Sequence, residues 1–227
     1  TYPLVQSFGQ EWLAHGKAQV RFTQPLYESD QVTVSATVTM AADTLIAVDM
    51  TGSNAEGAAC GIGTAQLPTV GEAAPEPTCV PAGPARSERL PVSWEVVVVG
   101  QPLAVRMLNV SQEDNEDYCR LHADDLALYR GPKGLVHPGI LLRQCNRVLS
   151  EHFILGPWIH VGSDITTYRP CQVGEPLEIR GLPVEKFAKK GHEFVVLDVL
   201  LLTAGAVAQR VKHTCIFRPR QNRRVDG

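Results

Sequence analysis

Apolar and polar positions alternate first in QVTVSATVTM, residues 31 to 40, and a near-continuous apolar run follows in LIAVDM, residues 45 to 50. A period of two sends successive side chains to opposite faces of an extended ribbon, so both stretches predict strands. Between residues 66 and 89 the periodicity stops. PTVGEAAPEPTCVPAGPARSER is rich in Pro, Gly and Ala, the composition of a linker or a long surface loop. Beyond it, VSWEVVVVG and PLAVRMLNV predict two more strands.

From Ser111 the pattern becomes helical. Ser111-Gln112-Glu113-Asp114 has the S-x-x-D form of a capping box, and Glu116 and Asp117 add acid near the positive end of the helix dipole, so a short helix is expected there. In PGILLRQCNRVLSEHF, Leu141, Leu142, Cys145, Val148, Leu149 and Phe153 recur at largely helical spacing. Arg143, Gln144, Asn146, Arg147 and Glu151 fill other positions, and Pro138 is tolerated in a first turn, which predicts a long amphipathic helix. Four strands are expected after it: WIHVGSDITTY, EPLEIRGLPVE, HEFVVLDVLLL and AVAQRVKHTCIF, with turns at 170–174, 189–191 and 204–205. A long helix followed by four antiparallel strands is an α+β arrangement, the helix lying across one curved sheet.

The beginning of the chain echoes its end. Trp12, His15, Gly16, Pro25 and Asp30 precede VTV, as Trp158, His160, Gly162, Pro170 and Glu175 precede LEI. AVDM with Asp49 and Gly57 likewise answers VLDV with Asp198 and Gly205. The first copy lacks its helix on this reading, because only eleven residues precede Trp12. A sheet without a helix leaves an apolar face open, so a segment before Thr1, or else another subunit, is expected to cover it. The organisation read from the sequence is a partial N-terminal repeat (1–68), a linker or long loop (69–92), a C-terminal domain (93–220) and a basic tail (221–227).

Composition narrows the partners. With 44% hydrophobic residues, 20% charged residues and a net charge of −3, the 227-residue chain is an ordinary globular sequence with no charge bias toward nucleic acid or an acidic ligand. Arg218, Arg220, Arg223 and Arg224 read as a solvated tail. The six cysteines form no C-x-x-C pair and no histidine stands at metal-ligand spacing, so free thiols in a reducing cytoplasm are expected, with no metal and no cofactor. The N-terminus has no leader pattern, and no apolar run nears the ~18 residues of a membrane span.

The stretch YCRLHADDLALYRGPKGLVHPG, residues 118 to 139, carries the candidate chemistry. It resembles the hydratase motif of the MaoC-like, (R)-specific enoyl-CoA hydratase/dehydratase family, which reads roughly Y-x-x-[apolar]-x-G-D-x-N-P-[I/L]-H ahead of an A-H-G-like turn into a helix. Tyr118, Leu121, Asp124 and Leu128 match, and Gly134 to Gly139 stands where that turn belongs. Arg169-Pro170 and Gly174-Glu175 resemble a feature of the sheet that follows. The likeness spans roughly residues 94 to 219. It implies a tandem (double) hotdog, a long central helix wrapped by a curved antiparallel sheet with the N-terminal copy lacking its helix, acting on acyl-CoA or acyl carrier protein thioesters. The helix N-terminus would polarise the thioester carbonyl while an Asp and a His handle a water.

The departures are specific. Tyr129 stands at the motif's histidine, and Leu126 and Ala127 replace its Asn and Pro. With an unperturbed pKa of about 10, on the order of 0.1% of a tyrosine is phenolate at neutral pH, so Tyr129 suits hydrogen bonding better than base chemistry. His137 or His122 could supply the imidazole. The catalytic candidates are therefore Asp124, Tyr129 and His137, and the substrate-binding candidates Gly139, Asp125 and Ser163.

Each candidate also has a structural reading. Paired acids at a helix end cap or solvate loops, a tyrosine is often a core aromatic, and a histidine before Pro-Gly can bond a first helical turn. On the strand after the helix, alternation puts His160 and Gly162 on the face opposite Ser163, so His160 reads as structural. The expected activity is hydration of a 2-enoyl thioester or dehydration of a 3-hydroxyacyl thioester. The alternatives are acyl-CoA binding without catalysis and thioester hydrolysis. The two copies are expected to form one continuous sheet within the chain by edge-to-edge pairing, and a homodimer stays open.

Overall fold

The computed structural model describes residues 1–27, 29–85 and 88–220. A helix opens the chain, α1 (Tyr2–His15), followed by β1 (Lys17–Phe22), β2 (Thr33–Ala42), β3 (Leu45–Ser53) and β4 (Ala59–Pro68). Among its described residues, the irregular segment that follows holds a 3-10 turn at Pro77–Cys79 and the short β5 (Leu90–Pro91). Next come β6 (Arg106–Asn109), α2 (Gln112–Leu121), α3 (Pro138–His152) and β7 (Phe153–Ile154). The chain closes with β8 (Ile159–Thr167), β9 (Pro176–Lys189), β10 (His192–Thr203) and β11 (Ala206–Arg218).

Nine strands form one antiparallel sheet in the order β2-β3-β4-β1-β8-β11-β10-β9-β6. The order β1-β4-β3-β2 on one side is answered by β8-β11-β10-β9 on the other, and the two runs join where Ala18 pairs with Ile165 and Val20 with Ser163. In the C-terminal run, Leu141, Cys145, Val148 and Leu149 of α3 are buried in one core with Leu177, Ile179, Val195, Leu197 and Val199. Burying such a side chain is worth about 1.5–3 kcal/mol, which is why the apolar stripe of α3 lies on the sheet. The β9–β10 and β10–β11 connections have left-handed backbone at both central residues, Lys190-Gly191 and Ala204-Gly205, the geometry whose twist matches a tight hairpin.

Three expectations change. The first repeat has its helix: α1 is bent at Gly9, where φ is 58° and ψ −139°, and it buries Leu4, Val5, Trp12 and Leu13 against Val48 and Ala65. The break at Gly9 splits a short apolar pattern, Leu4-Val5, Phe8 and Trp12-Leu13, that reads weakly in sequence. Second, VSWEVVVVG is a turn, not a strand. Lys186 Nζ donates to the carbonyls of Trp94 (2.6 Å) and Val97 (2.9 Å), and its ammonium lies over the Trp94 ring. Beside this segment β9 presents Pro183, which accepts from Gly100 N but has no N–H to continue a ladder. Only Arg106–Asn109 of the following stretch pairs with β9. Third, β1 and β4 are strands that alternation alone does not reveal, since β4 is interrupted by Gly61 and Gly63.

Candidate active site

The site is built from α2, the segment after it, and the first turn of α3. The capping box forms at Ser111: its Oγ accepts from Asp114 N at 3.1 Å, and its own N–H donates to Asp114 Oδ2 at 3.3 Å. One turn on, Asn115 is wholly buried. Its Nδ2 donates to the carbonyls of Tyr129 (2.8 Å) and Leu135 (2.9 Å), while its Oδ1 accepts from His137 N at 2.8 Å. One side chain thus pins both ends of the segment from 129 to 137 to α2. Sequence reading missed Asn115; its signal was an amide four residues before buried Cys119, on the inward stripe of an otherwise acidic helix.

Ala123 takes a left-handed backbone, φ 52°, and turns the chain so that Asp124 points inward. Asp124 is 4% exposed. Its Oδ1 accepts from Leu126 N at 3.1 Å, and its Oδ2 accepts from His137 Nε2 at 3.1 Å. On the other side of the ring, Nδ1 accepts from Gly139 N at 2.9 Å. The imidazole proton therefore sits on Nε2, held by a backbone donor on one side and a carboxylate on the other. Burial lowers the pKa of His137 while Asp124 pulls the other way, and the net shift is downward, so the ring is neutral at neutral pH.

Tyr129 is buried with its ring centroid 4.7 Å from that of His137, and its hydroxyl has no hydrogen-bond partner among the described residues. Burial first, and the charge of Asp124 second, push the phenol well above its ordinary range, so it serves as a donor and not as a base. Tyr118 covers the same histidine at 4.9 Å, and a Cβ on Gly139 would fall 2.3 Å from its hydroxyl oxygen. His122 is exposed and stacks on Tyr118, so His137 is the imidazole beside Asp124. Asp125 is exposed and accepts from Tyr2 Oη at 3.2 Å.

The amide end of α3 differs from the sequence expectation of an exposed donor cluster. Pro138 has no N–H, Gly139 donates to His137 Nδ1, and Ile140 and Leu141 donate to the His137 carbonyl at 2.9 and 3.4 Å. His137 is itself the N-cap: its ring nitrogen accepts from the Gly139 amide, one of the first-turn donors that the helix itself leaves without a partner. Pro138 and Gly139 nonetheless line an apolar cavity of about 310 Å³, together with Leu142 of α3, Trp12 and Leu13 of α1, and Val20, Met50 and Ile62 of the first sheet run. Gly139 thus joins two places: its amide holds His137, and it forms part of the cavity wall.

Ser163 lies elsewhere. It is fully buried at the junction of the two sheet runs, in a chain of hydrogen bonds in which His160 Nε2 donates to Ser163 Oγ (2.9 Å), Ser163 donates to His213 Nδ1 (3.0 Å), and His213 Nε2 donates to Asn146 Oδ1 (2.8 Å). His160 shares a face with Ser163, against the alternation expected from sequence, because Val161 is an extra residue in β8 at the register shift opposite Thr214 and Cys215. Burial lowers the pKa of His160 to about 4 and that of His213 to about 3. The unfolded chain takes up these two protons below about pH 6.5, whereas the folded protein does not until pH 4 to 3. Stability is thus unaffected by this pair above pH 6.5, falls as the pH drops from there, and levels off below pH 3. The loss is expected to reach several kcal/mol by about pH 4. Urea midpoints at pH 7, 5.5 and 4.5 check this against a His213→Gln control, whose pH dependence is expected to be shallower; equal slopes would discard the assignment.

No protein-family model matches the sequence, and no curated protein matches it. Among solved structures, the chain is similar to a MaoC-like dehydratase at 14% identity, covering 90% of this chain and 75% of that one with a TM-score of 0.64. It is similar to a Mycobacterium tuberculosis protein described as having a double hotdog fold, at 14% identity over 95% and 78% of the two chains, TM-score 0.63. A putative oleoyl thioesterase from Lactobacillus plantarum matches at 13% identity over 97% and 81%, TM-score 0.58. At such identities the likeness is one of fold. The chain is a double hotdog, with the architecture of the MaoC-like dehydratases.

Proposed function

We propose that the protein acts on acyl thioesters of coenzyme A or acyl carrier protein, adding water to a 2-enoyl thioester or removing it from a 3-hydroxyacyl thioester. The observation that carries this reading is the buried Asp124–His137 pair, tied through the Gly139 amide to a helix start that lines an apolar cavity. An acyl chain suits the cavity wall, and the thioester would lie toward Pro138 and Gly139.

In the hydration direction, a water oxygen bonds to C3 as Asp124 takes one of its protons, and Asp124 then returns that proton to C2, which completes the addition and leaves the carboxylate ionised. His137 holds Asp124 through its Nε2 proton and keeps that carboxylate aimed. Tyr129 packs the ring of His137 and offers only its hydroxyl hydrogen. Tyr129→Phe is therefore expected to retain at least about a tenth of the turnover, since a single neutral hydrogen bond is worth about 1 kcal/mol; a loss of a hundredfold or more would place the phenol in the reaction itself. Asp125 and Ser163 take no part in this scheme.

A second reading is favoured by one observation. The helix-start amides and Asp124 Oδ2 are all engaged within the chain, as in a protein that binds an acyl thioester without turning it over. The test is incubation with trans-2-octenoyl-CoA, following the conjugated enoyl absorbance and, in parallel, thiol release with a thiol dye. Loss of absorbance without thiol supports hydration, and thiol release supports hydrolysis. Saturable binding with neither change supports the binding reading, and no binding at all defeats all three.

A further inference from the structure

The cavity wall contains a buried polar atom that no described residue satisfies. Gln209 lies on β11, paired with Thr167 of β8 and Leu201 of β10, in the middle of the sheet. It is 4% exposed, lines the cavity, and its Oε1 is buried with no hydrogen-bond partner among the described residues. Its cross-strand neighbour cannot help, because the Thr167 hydroxyl donates to the carbonyls of Gly16 (2.6 Å) and Trp12 (3.2 Å). A buried carbonyl oxygen without a donor is costly, and a methionine or leucine of similar size would avoid that cost.

We infer that Gln209 is the polar contact of the ligand cavity, and that the acyl chain bound there carries a hydroxyl group seated on this carboxamide. The inference rests on the acyl-thioester reading above. Charge argues for a neutral partner: the arginines that line the cavity, Arg21 and Arg169, are exposed, so a carboxylate would be held at the mouth and not at the depth of Gln209. A hydroxyl fits because it can donate to Oε1 and accept from the same carboxamide's NH₂ group, whereas a plain alkyl chain leaves Oε1 unpaired. A site built to bond a hydroxyl rejects the analogue that lacks it, which makes Gln209 a specificity-determining residue.

The test compares the dissociation constant of octanoyl-CoA with those of its monohydroxylated isomers, from 4-hydroxy to 8-hydroxy, for the wild type and for Gln209→Met; the 3-hydroxy isomer is left out because its hydroxyl belongs to the reaction proposed at Asp124. At least one isomer is expected to bind the wild type about tenfold more tightly than octanoyl-CoA, the equivalent of about 1.4 kcal/mol. In Gln209→Met that advantage is expected to fall to near unity with octanoyl-CoA bound as well as before, which also reports that the variant is folded. Octanoyl-CoA binding with no isomer favoured by the wild type overturns the inference and leaves the acyl-thioester reading standing, and an advantage that survives in Gln209→Met overturns it as well. Failure of every thioester to bind removes both.

Discussion

Asp124→Asn is expected to lower the rate of enoyl-thioester hydration by about 10²–10⁴, the usual worth of a positioned general base. The substitution is nearly isosteric, so its effect is chemical. Asp124 accepts from Leu126 N with one oxygen and from His137 Nε2 with the other. An asparagine retains one acceptor and turns an NH₂ group toward the second donor. His137 cannot adapt by moving its proton to Nδ1, because that nitrogen already accepts from Gly139 N. The cap on α3 thereby locks the tautomer, and the variant loses both the base and the match to the imidazole. Initial rates with trans-2-octenoyl-CoA, at matched secondary structure, measure the effect. Wild-type rates in Asp124→Asn would remove the carboxylate from the mechanism.

Asn115→Ala is expected to be among the most damaging single substitutions, costing about 3–5 kcal/mol. It strips partners from three backbone groups at once, the carbonyls of Tyr129 and Leu135 and the N–H of His137, each worth on the order of 1–3 kcal/mol when left unpaired in the interior. For a protein of this size such a loss lowers the melting temperature by roughly ten degrees. Asn115→Asp should fare no better, since its carboxylate would confront two carbonyl oxygens where Nδ2 now donates. The check is urea denaturation, in which the midpoint falls without a change in slope. Activity should fall too, because His137 is held in place by the Asn115 bond to its backbone. An unchanged midpoint would mean that the segment from 129 to 137 is secured by other contacts.

Much of the frame is local and was legible for that reason. The Ser111 capping box needs four consecutive residues and formed as expected, and the stripe from Leu141 to Leu149 needs only helical spacing to declare a buried helix. The four closing strands are long, bounded by turns, and appear in the expected order. Elements that depend on what lies beside them were harder to read. VSWEVVVVG has the composition of a strand and is a turn, because the neighbouring stretch of β9 carries Pro183 and Lys186 binds its carbonyls. His160 and Ser163 share a face only because one residue of β8 is left out of the ladder. The helix α1 was obscured by Gly9.

The candidate site divides in the same way. Asp124, Tyr129 and His137 stand out by residue type, and they meet in the fold. The bond between Asp124 and His137, thirteen positions apart, follows from the left-handed turn at Ala123 and from the Asn115 clamp, which no short-range pattern encodes. Gln209 was invisible as a cavity residue, since one polar position in a strand has no meaning until its neighbours, its depth and the adjoining cavity are known.

By itself the sequence determined the capped helix, the long amphipathic helix, the closing strands, the tandem arrangement and the segment that carries the candidate residues, because side-chain period and capping act over a few bonds. Only the tertiary structure decided which nitrogen of His137 carries the proton, that the amide end of α3 is closed by its own cap, and that Gly139, whose amide holds His137, also lines the cavity. Those features arise from contacts between segments far apart in the chain, where burial and the need to pair every polar atom select one arrangement among many that the local pattern allows.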